Sequence, residues 1–321
     1  MGAEARRWVA GACKRQIGAR GYKGTWHREK TVLQYPTSYR WRKGIAMAKK
    51  KEWNLPTLAL GLLGLLAAGA VGAVLLFRSG GGPASTQPPT EPPPPANPYS
   101  EADFYEEDGF IRCSAAQTWV GIDVSSHQEE IDWQAVKNAG VDYAMIRVAW
   151  RGYTEGGLNV DAYAEENLRG ATEAGLPVGV YVYSQAVSVE EAREEAAFVL
   201  ELIAGWEITY PVVFDWEWVG GDARTAETDG ETVTACTQAF CQMVEAAGYT
   251  PAFYFNQDLA STTFDLSLLQ TYDFWLAQYS DAMTFPYDVA MWQYTCTGQV
   301  DGVSGDVDIN LCFRNYEDDS K

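Results

Sequence analysis

Apolar and polar residues follow two rhythms in this chain. From Trp119 onward, short apolar runs rich in β-branched and aromatic residues alternate with stretches whose apolar positions recur every three or four residues. The first rhythm predicts strands at 120–124, 143–149, 177–183, 211–218, 250–256, 274–279, 290–294 and 307–313. The second predicts helices at 133–139, 162–174, 189–204 and 231–247, with a weaker one at 266–270. Gly140, Gly175 and Gly248 each stand just past a predicted helix, where a C-terminal cap favours glycine. Strands that are apolar throughout and separated by helices belong in a parallel sheet buried on both faces. Eight of them predict a closed α/β barrel, TIM-like, that has lost helices from its second half.

The N-terminal part reads differently. Residues 57–77, TLALGLLGLLAAGAVGAVLLF, form 21 consecutive residues without a charge. At 1.5 Å per residue that suffices for the ~30 Å hydrocarbon core of a bilayer. Lys49, Lys50 and Lys51 precede the run, and only Arg78 follows it closely. The positive-inside rule then predicts a single-pass transmembrane helix in a cell membrane, its N-terminus cytoplasmic and the remainder exported. The run is too long for an ordinary signal-peptide core. Residues 47–56 form the basic cytoplasmic flank, and 1–46 are a basic segment ahead of Met47, which itself reads as an alternative start. Residues 78–98 are a Gly- and Pro-rich linker whose proline run favours an extended spacer. An acidic lead-in, 99–118, precedes the domain proper at 119–316, and 317–321 form an acidic tail.

Charge supports this division. Residues 1–78 hold 15 of the 24 Lys and Arg but only three acids, leaving nine basic and 40 acidic residues beyond, a net charge near −31. So acidic a segment repels phosphate backbones, which excludes nucleic acid as its partner. Its wealth of Trp, Tyr, Val and Ile excludes disorder. The six cysteines show no CxxC pair or metal-type spacing, so neither a metal nor a cofactor is expected. Cys296 and Cys312 flank a Gly-rich loop between predicted strands, and either a disulfide or two reduced thiols fit there.

In a barrel of this kind, functional groups collect at the C-terminal ends of strands. Asp123 lies near the end of the first predicted strand (VGIDVSSHQ), Asp215 and Glu217 at the end of the fourth (VVFDWEW), and Asp308 in the last (GDVDINLCF). Four acids converging on one mouth repel one another, a cost that calls for a function. Asp215 and Glu217, two apart, emerge on one face roughly 6.5–7 Å apart at Cα, with Trp216 pointing the other way. Crowding between them raises one pKa and leaves one acid protonated beside an ionised partner, which glycosidic cleavage requires. Aromatic residues at strand ends offer flat platforms for sugar rings, among them Tyr181, Tyr183, Tyr254, Trp275 and Trp292. Gln278 and Gln293 are candidates for holding hydroxyl or acetamido groups. His127 reads as a structural hydrogen-bonder near the site, and Arg147 either neutralises the acids or joins a buried ion pair.

The ordered segments GIDVSSHQ, IDWQAVKNAGVDYAMIRV, GLPVGVYVYS, PVVFDWEW, WLAQY and WQYTCTGQVDGVSGDVDIN resemble glycoside hydrolase family 25, the Chalaropsis-type lysozymes, over about residues 119–316. That resemblance implies a (β/α)5(β)3 barrel acting as an N-acetylmuramidase on the β-1,4 bond from N-acetylmuramic acid to N-acetylglucosamine in peptidoglycan glycan strands. It implies Glu217 as general acid, Asp215 as the group that stabilises positive charge on the sugar ring or on an oxazolinium, and Asp123 and Asp308 as residues that orient the site. The segment Tyr181-Val182-Tyr183 departs from the family's YH[FY] pattern, which touches substrate contacts more than the acids. A monomeric catalytic domain is expected. Two other readings stand beside this one: a catalytically inactive peptidoglycan-binding module, and a chitinase-like glycosidase, for which the DxxDxDxE run is absent.

Overall fold

In the computed structural model, which describes residues 91–319, alternation along each strand sorts the side chains into two layers. The elements in chain order are β1 (Phe104–Glu107), β2 (Phe110–Cys113), β3 (Trp119–Val124), α1 (Trp133–Asn138), β4 (Tyr143–Arg151), β5 (Leu158–Val160), α2 (Ala164–Glu173) and β6 (Val178–Ser184). There follow α3 (Val189–Leu202), β7 (Val212–Trp216), α4 (Gly230–Ala246), β8 (Pro251–Asn256), α5 (Gln257–Thr262), α6 (Leu266–Leu269), β9 (Asp273–Ala277), β10 (Met291–Gly298), β11 (Val307–Cys312) and α7 (Tyr316–Asp319). Strands β3, β4, β6, β7, β8, β9 and β10 pair in parallel in that order. Strand β11 closes the ring, antiparallel to both β10 and β3. Strands β3, β4, β6, β7 and β8 lead into helices, β9 and β10 do not, and β11 is followed only by the four-residue α7, so the described unit is a mixed α/β barrel of the expected kind.

Outward residues such as Val120, Ile122, Val180, Val182, Phe214, Trp216, Phe253 and Phe255 pack in the layer between strands and helices. Inward residues form a second cluster in which Tyr143, Tyr210 and Tyr316 fill the N-terminal end of the barrel. Tyr143 and Tyr210 stack with centroids 4.2 Å apart, and room for Tyr143 comes from Gly121, where a Cβ would lie 2.2 Å from that ring. The floor is thus solid, and the open end lies at the strand C-termini. Asp132, Ser188, Asp229 and Asn256 cap the following helices through backbone N–H groups, and Gly175 and Gly248 take φ of +74° and +89° at the predicted helix stops.

Residues 99–118 do more than lead in. Strands β1 and β2 form a hairpin across an Asp108-Gly109 turn. It covers barrel strands that have no helix: Phe104 packs edge-on against Trp292 at 5.1 Å and against Phe313 at 6.3 Å, and Ile111 N–H donates to Tyr294 Oη at 3.4 Å. Among the described residues no helix is long and apolar enough to cross a membrane, and the run at 57–77 lies outside them, as do 1–46, 47–56 and 78–90.

The cysteine expectation has a definite outcome at one end. Cys312 is a free, buried thiol opposite Met291 on β10. Cys296 lies five residues farther along that strand, on the order of 15 Å at strand rise, well beyond disulfide reach of Cys312.

Candidate active site

The open end of the barrel holds a cavity of about 140 Å³ lined by Asp123, Asp215, Glu217 and Asp308 together with Tyr181, Tyr183, Tyr254, Trp275, Tyr279 and Gln293. The sheet register brings these residues together. Asp123 and Asp308 are directly opposed across β3 and β11, and Asp215 is flanked by Tyr183 on β6 and Tyr254 on β7's other neighbour, β8. Glu217 continues the inward alternation one residue past the end of β7.

A hydrogen-bond chain fixes Asp123. Gln293 Nε2 and Asn310 Nδ2 each donate to Asp123 Oδ2 at 2.8 Å. Tyr254 and Tyr279 hydroxyls donate to Gln293 Oε1 at 2.9 and 3.1 Å, and Trp275 Nε1 donates to Asn310 Oδ1 at 2.7 Å. Every donor in the chain points toward the carboxylate, which favours its ionised form. Burial nonetheless pushes Asp123 up to about 6 against those two amide donors.

Asp215 has no such support. It is buried, and its Oδ1 has no hydrogen-bond partner. Burial, then the charges of Glu217 and Asp123, hold its carboxyl well above the usual range, while Arg147 pulls the other way. Asp308 is raised likewise by burial, Asp123 and Glu217. Neighbouring buried carboxyls cannot all ionise together, so the cluster retains protons where isolated acids would have lost them.

Two predicted substrate contacts fall elsewhere. Gln278 lies just beyond β9 with the outward parity, and its amide is engaged by Thr284, whose hydroxyl and N–H meet Nε2 at 2.5 Å and Oε1 at 3.0 Å. Trp292 also points outward: it is fully buried under the hairpin and donates to Gln278 O at 2.8 Å. Strand alternation is the reason in both cases, since their neighbours Tyr279 and Gln293 take the inward positions. Arg147 lines the cavity while ion-paired with Asp161 at 2.8 Å, and His127 lines it as well. Sequence reasoning passed over Ser125, Gln128 and Tyr153 on the loops and Asn310 on β11. Asn310 alone carried a usable signal, sitting two residues from Asp308 and so on the same face.

Among the described residues no group of His, Cys, Asp and Glu has the arrangement of a metal site. The acids, one with an unshared buried oxygen, and the aromatic walls suit proton transfer to a neutral, ring-shaped ligand.

Comparison with known proteins agrees with this geometry. The model of "Glycosyl hydrolases family 25" matches residues 122–303. The protein YegX of Escherichia coli K12 is 30% identical over 221 residues, 65% of this chain and 74% of that one. "Lysozyme M1" of Streptomyces globisporus is 30% identical over 203 residues, covering 59% of this chain and 66% of that one. The modular autolysin LytC from Streptococcus pneumoniae, solved alone and with a synthetic peptidoglycan ligand, superposes with a TM-score of 0.54 at 26% identity. That match covers 61% of this chain and 46% of LytC, so the chain spans less than half of the autolysin.

Proposed function

The chain belongs to the glycosyl hydrolases of family 25, and on that premise we propose that it is a peptidoglycan hydrolase of the lysozyme type. In this reading it is an N-acetylmuramidase, cleaving the β-1,4 bond between N-acetylmuramic acid and N-acetylglucosamine. The observation that carries the proposal is the convergence of Asp123, Asp215, Glu217 and Asp308 on one aromatic-walled cavity. Relatives named as lysozymes support the substrate class.

Glu217 protonates the glycosidic oxygen as the bond to the anomeric carbon breaks, and afterwards takes a proton from the attacking water. Water thus supplies hydroxyl to the anomeric carbon and replaces the proton given to the leaving oxygen. Asp215 stabilises positive charge at the ring or accepts the N–H of the substrate's 2-acetamido group, a use that its unshared buried oxygen supports. Asp123, held by Gln293 and Asn310, and Asp308 set the electrostatic background. Tyr181, Tyr183, Tyr254 and Trp275 wall the site, with Gln293 locked as a strut behind Asp123 rather than reaching for ligand.

We also place the domain outside the cell, tethered by a transmembrane helix at 57–77, a reading supported by the uncharged run and the lysines before it. Incubation of the protein with purified peptidoglycan, followed by mass spectrometry of new reducing ends, tests the activity. Muramic acid ends are expected. Glucosamine ends would replace the bond specificity, and binding without new ends would leave an inactive module. Glu217→Gln is expected to lower kcat by about 10²–10⁴-fold with the fold intact.

A further inference from the structure

Glu217 stands one residue past the end of its strand. Strand β7 ends at Trp216, and the segment that follows contains Gly220 and Gly221, both at positive φ, with Trp218 and Val219 exposed. Misplacement of a reacting group by an ångström costs about 10²-fold in rate, so whatever fixes the backbone at Glu217 bears on where its carboxyl points.

The segment after β6 grips the chain at this point. Gln185, fully buried and outside the cavity lining, donates through Nε2 to Glu217 O at 3.1 Å and to Ser184 O at 2.8 Å. Its Oε1 accepts from Thr225 Oγ1 at 3.1 Å, so two carbonyls and one hydroxyl fix the orientation of the amide. One residue before Glu217, the Trp216 indole Nε1 donates to Ala186 O at 3.1 Å. Residues 185 and 186 therefore grip the end of β7 at two points.

That segment is anchored in turn. Arg224 NH1 donates to Gln185 O at 2.7 Å, and its guanidinium grips Glu191 at 2.8 and 2.6 Å. Glu191 also accepts from Val187 N–H at 2.9 Å. Against the upward pull of burial, the bonds from Arg224 and Val187 hold the Glu191 carboxyl below its ordinary value, so the pair stays charged. The Arg224 backbone N–H donates to Tyr153 O at 2.8 Å, which ties in the loop bearing another cavity residue.

We propose that Gln185 and Arg224 are positioning residues for Glu217, forming a buried bracket that aims the acid from behind without touching substrate. The inference rests on the proposed role of Glu217 as general acid. Three proteins decide it: full-length wild type, Gln185→Met and Arg224→Lys, assayed on soluble glycan strands with kcat, KM and the pH profile of kcat recorded. Thr237→Val, which removes a buried hydroxyl bond within α4, is the control for general destabilisation.

Gln185→Met is expected to lower kcat 10- to 100-fold, leave KM within twofold and move a limb of the pH profile. Arg224→Lys keeps the charge and loses the two-point grip, so a 3- to 10-fold loss of kcat is expected. Thr237→Val keeps the wild-type kcat and profile. Wild-type kcat and pH profile in a folded Gln185→Met protein overturn the proposal. If that variant does not fold, wild-type kcat in Arg224→Lys overturns it instead. An inactive wild type refutes the lysozyme reading itself, an outcome separate from either.

Discussion

Asp215 is held in a way that works against the stability of the fold. Its carboxyl is buried, lacks a partner for Oδ1 and is raised well above the usual range by burial and then by Glu217 and Asp123. An acid whose pKa is higher folded than unfolded binds its proton more tightly in the native state. Its stabilising contribution is complete below the unfolded pKa and is lost as pH rises through the folded one. For Asp123 that window runs from 3.8 to about 6, and for Glu195, raised by burial against Ser184 and Arg151, from 4.5 to about 7. The melting temperature is therefore expected to fall between about pH 4 and pH 7, and a flat or rising curve would contradict the account. Asp215→Asn removes the charge at nearly constant volume. It should raise the melting temperature at pH 7, by about 2–4 °C for each kcal/mol gained, while lowering kcat at least about 100-fold. A calorimetric scan and a rate measurement on one preparation check both halves. The four acids were legible in sequence because strand parity and strand ends locate them. Gln278 and Trp292 were misassigned for want of the same parity, and the Gln293–Asn310 cradle emerges only once β11 closes the ring.

At the scale of elements, the barrel's exposed flank explains the hairpin. The last three strands lack covering helices, yet Trp292 is fully buried and Tyr294 and Phe313 nearly so. The cover comes from Tyr99, Phe104 and Ile111, upstream of the barrel. Phe104→Ala is expected to cost about 2–3 kcal/mol, and a fragment beginning at residue 119 should fail to fold cooperatively. Urea titration reads both, and an unchanged midpoint in the fragment would show the hairpin to be dispensable. The barrel strands were readable because burial on both faces makes them apolar throughout. The hairpin was not, because FYEE is mostly exposed and polar, although Asp108-Gly109 between short alternating runs is a strong turn signal. Helix α5 was missed for a related reason: six residues with one buried side chain show little periodicity.

For the whole molecule, the way the chain enters the barrel bears on tethering. Asn97 N–H donates to Pro286 O, Asp288 N–H to Pro95 O and Gln270 Nε2 to Pro92 O. Ala290, two residues past Asp288, bonds to Phe274 at the start of β9, so this docking site lies toward the floor of the barrel, away from the acids. The proline-rich stretch from residue 92 to residue 97 is thus held at the end remote from the cavity, and pull on the linker is borne there rather than by the loops that shape the site. The proposed anchor and the enzyme should accordingly be separable. Full-length protein is expected to fractionate with membranes and to resist alkaline extraction, whereas deletion of residues 1–78 should release it with kcat on soluble glycan strands within twofold of wild type. Turnover of the intact wall by the expressing cell should fall with the deletion, because the tether keeps the enzyme beside that substrate. Full-length protein found in the soluble fraction would refute the anchor and leave the chemistry untouched. Equal loss of rate on soluble strands would mean instead that the N-terminal part contributes to the site itself.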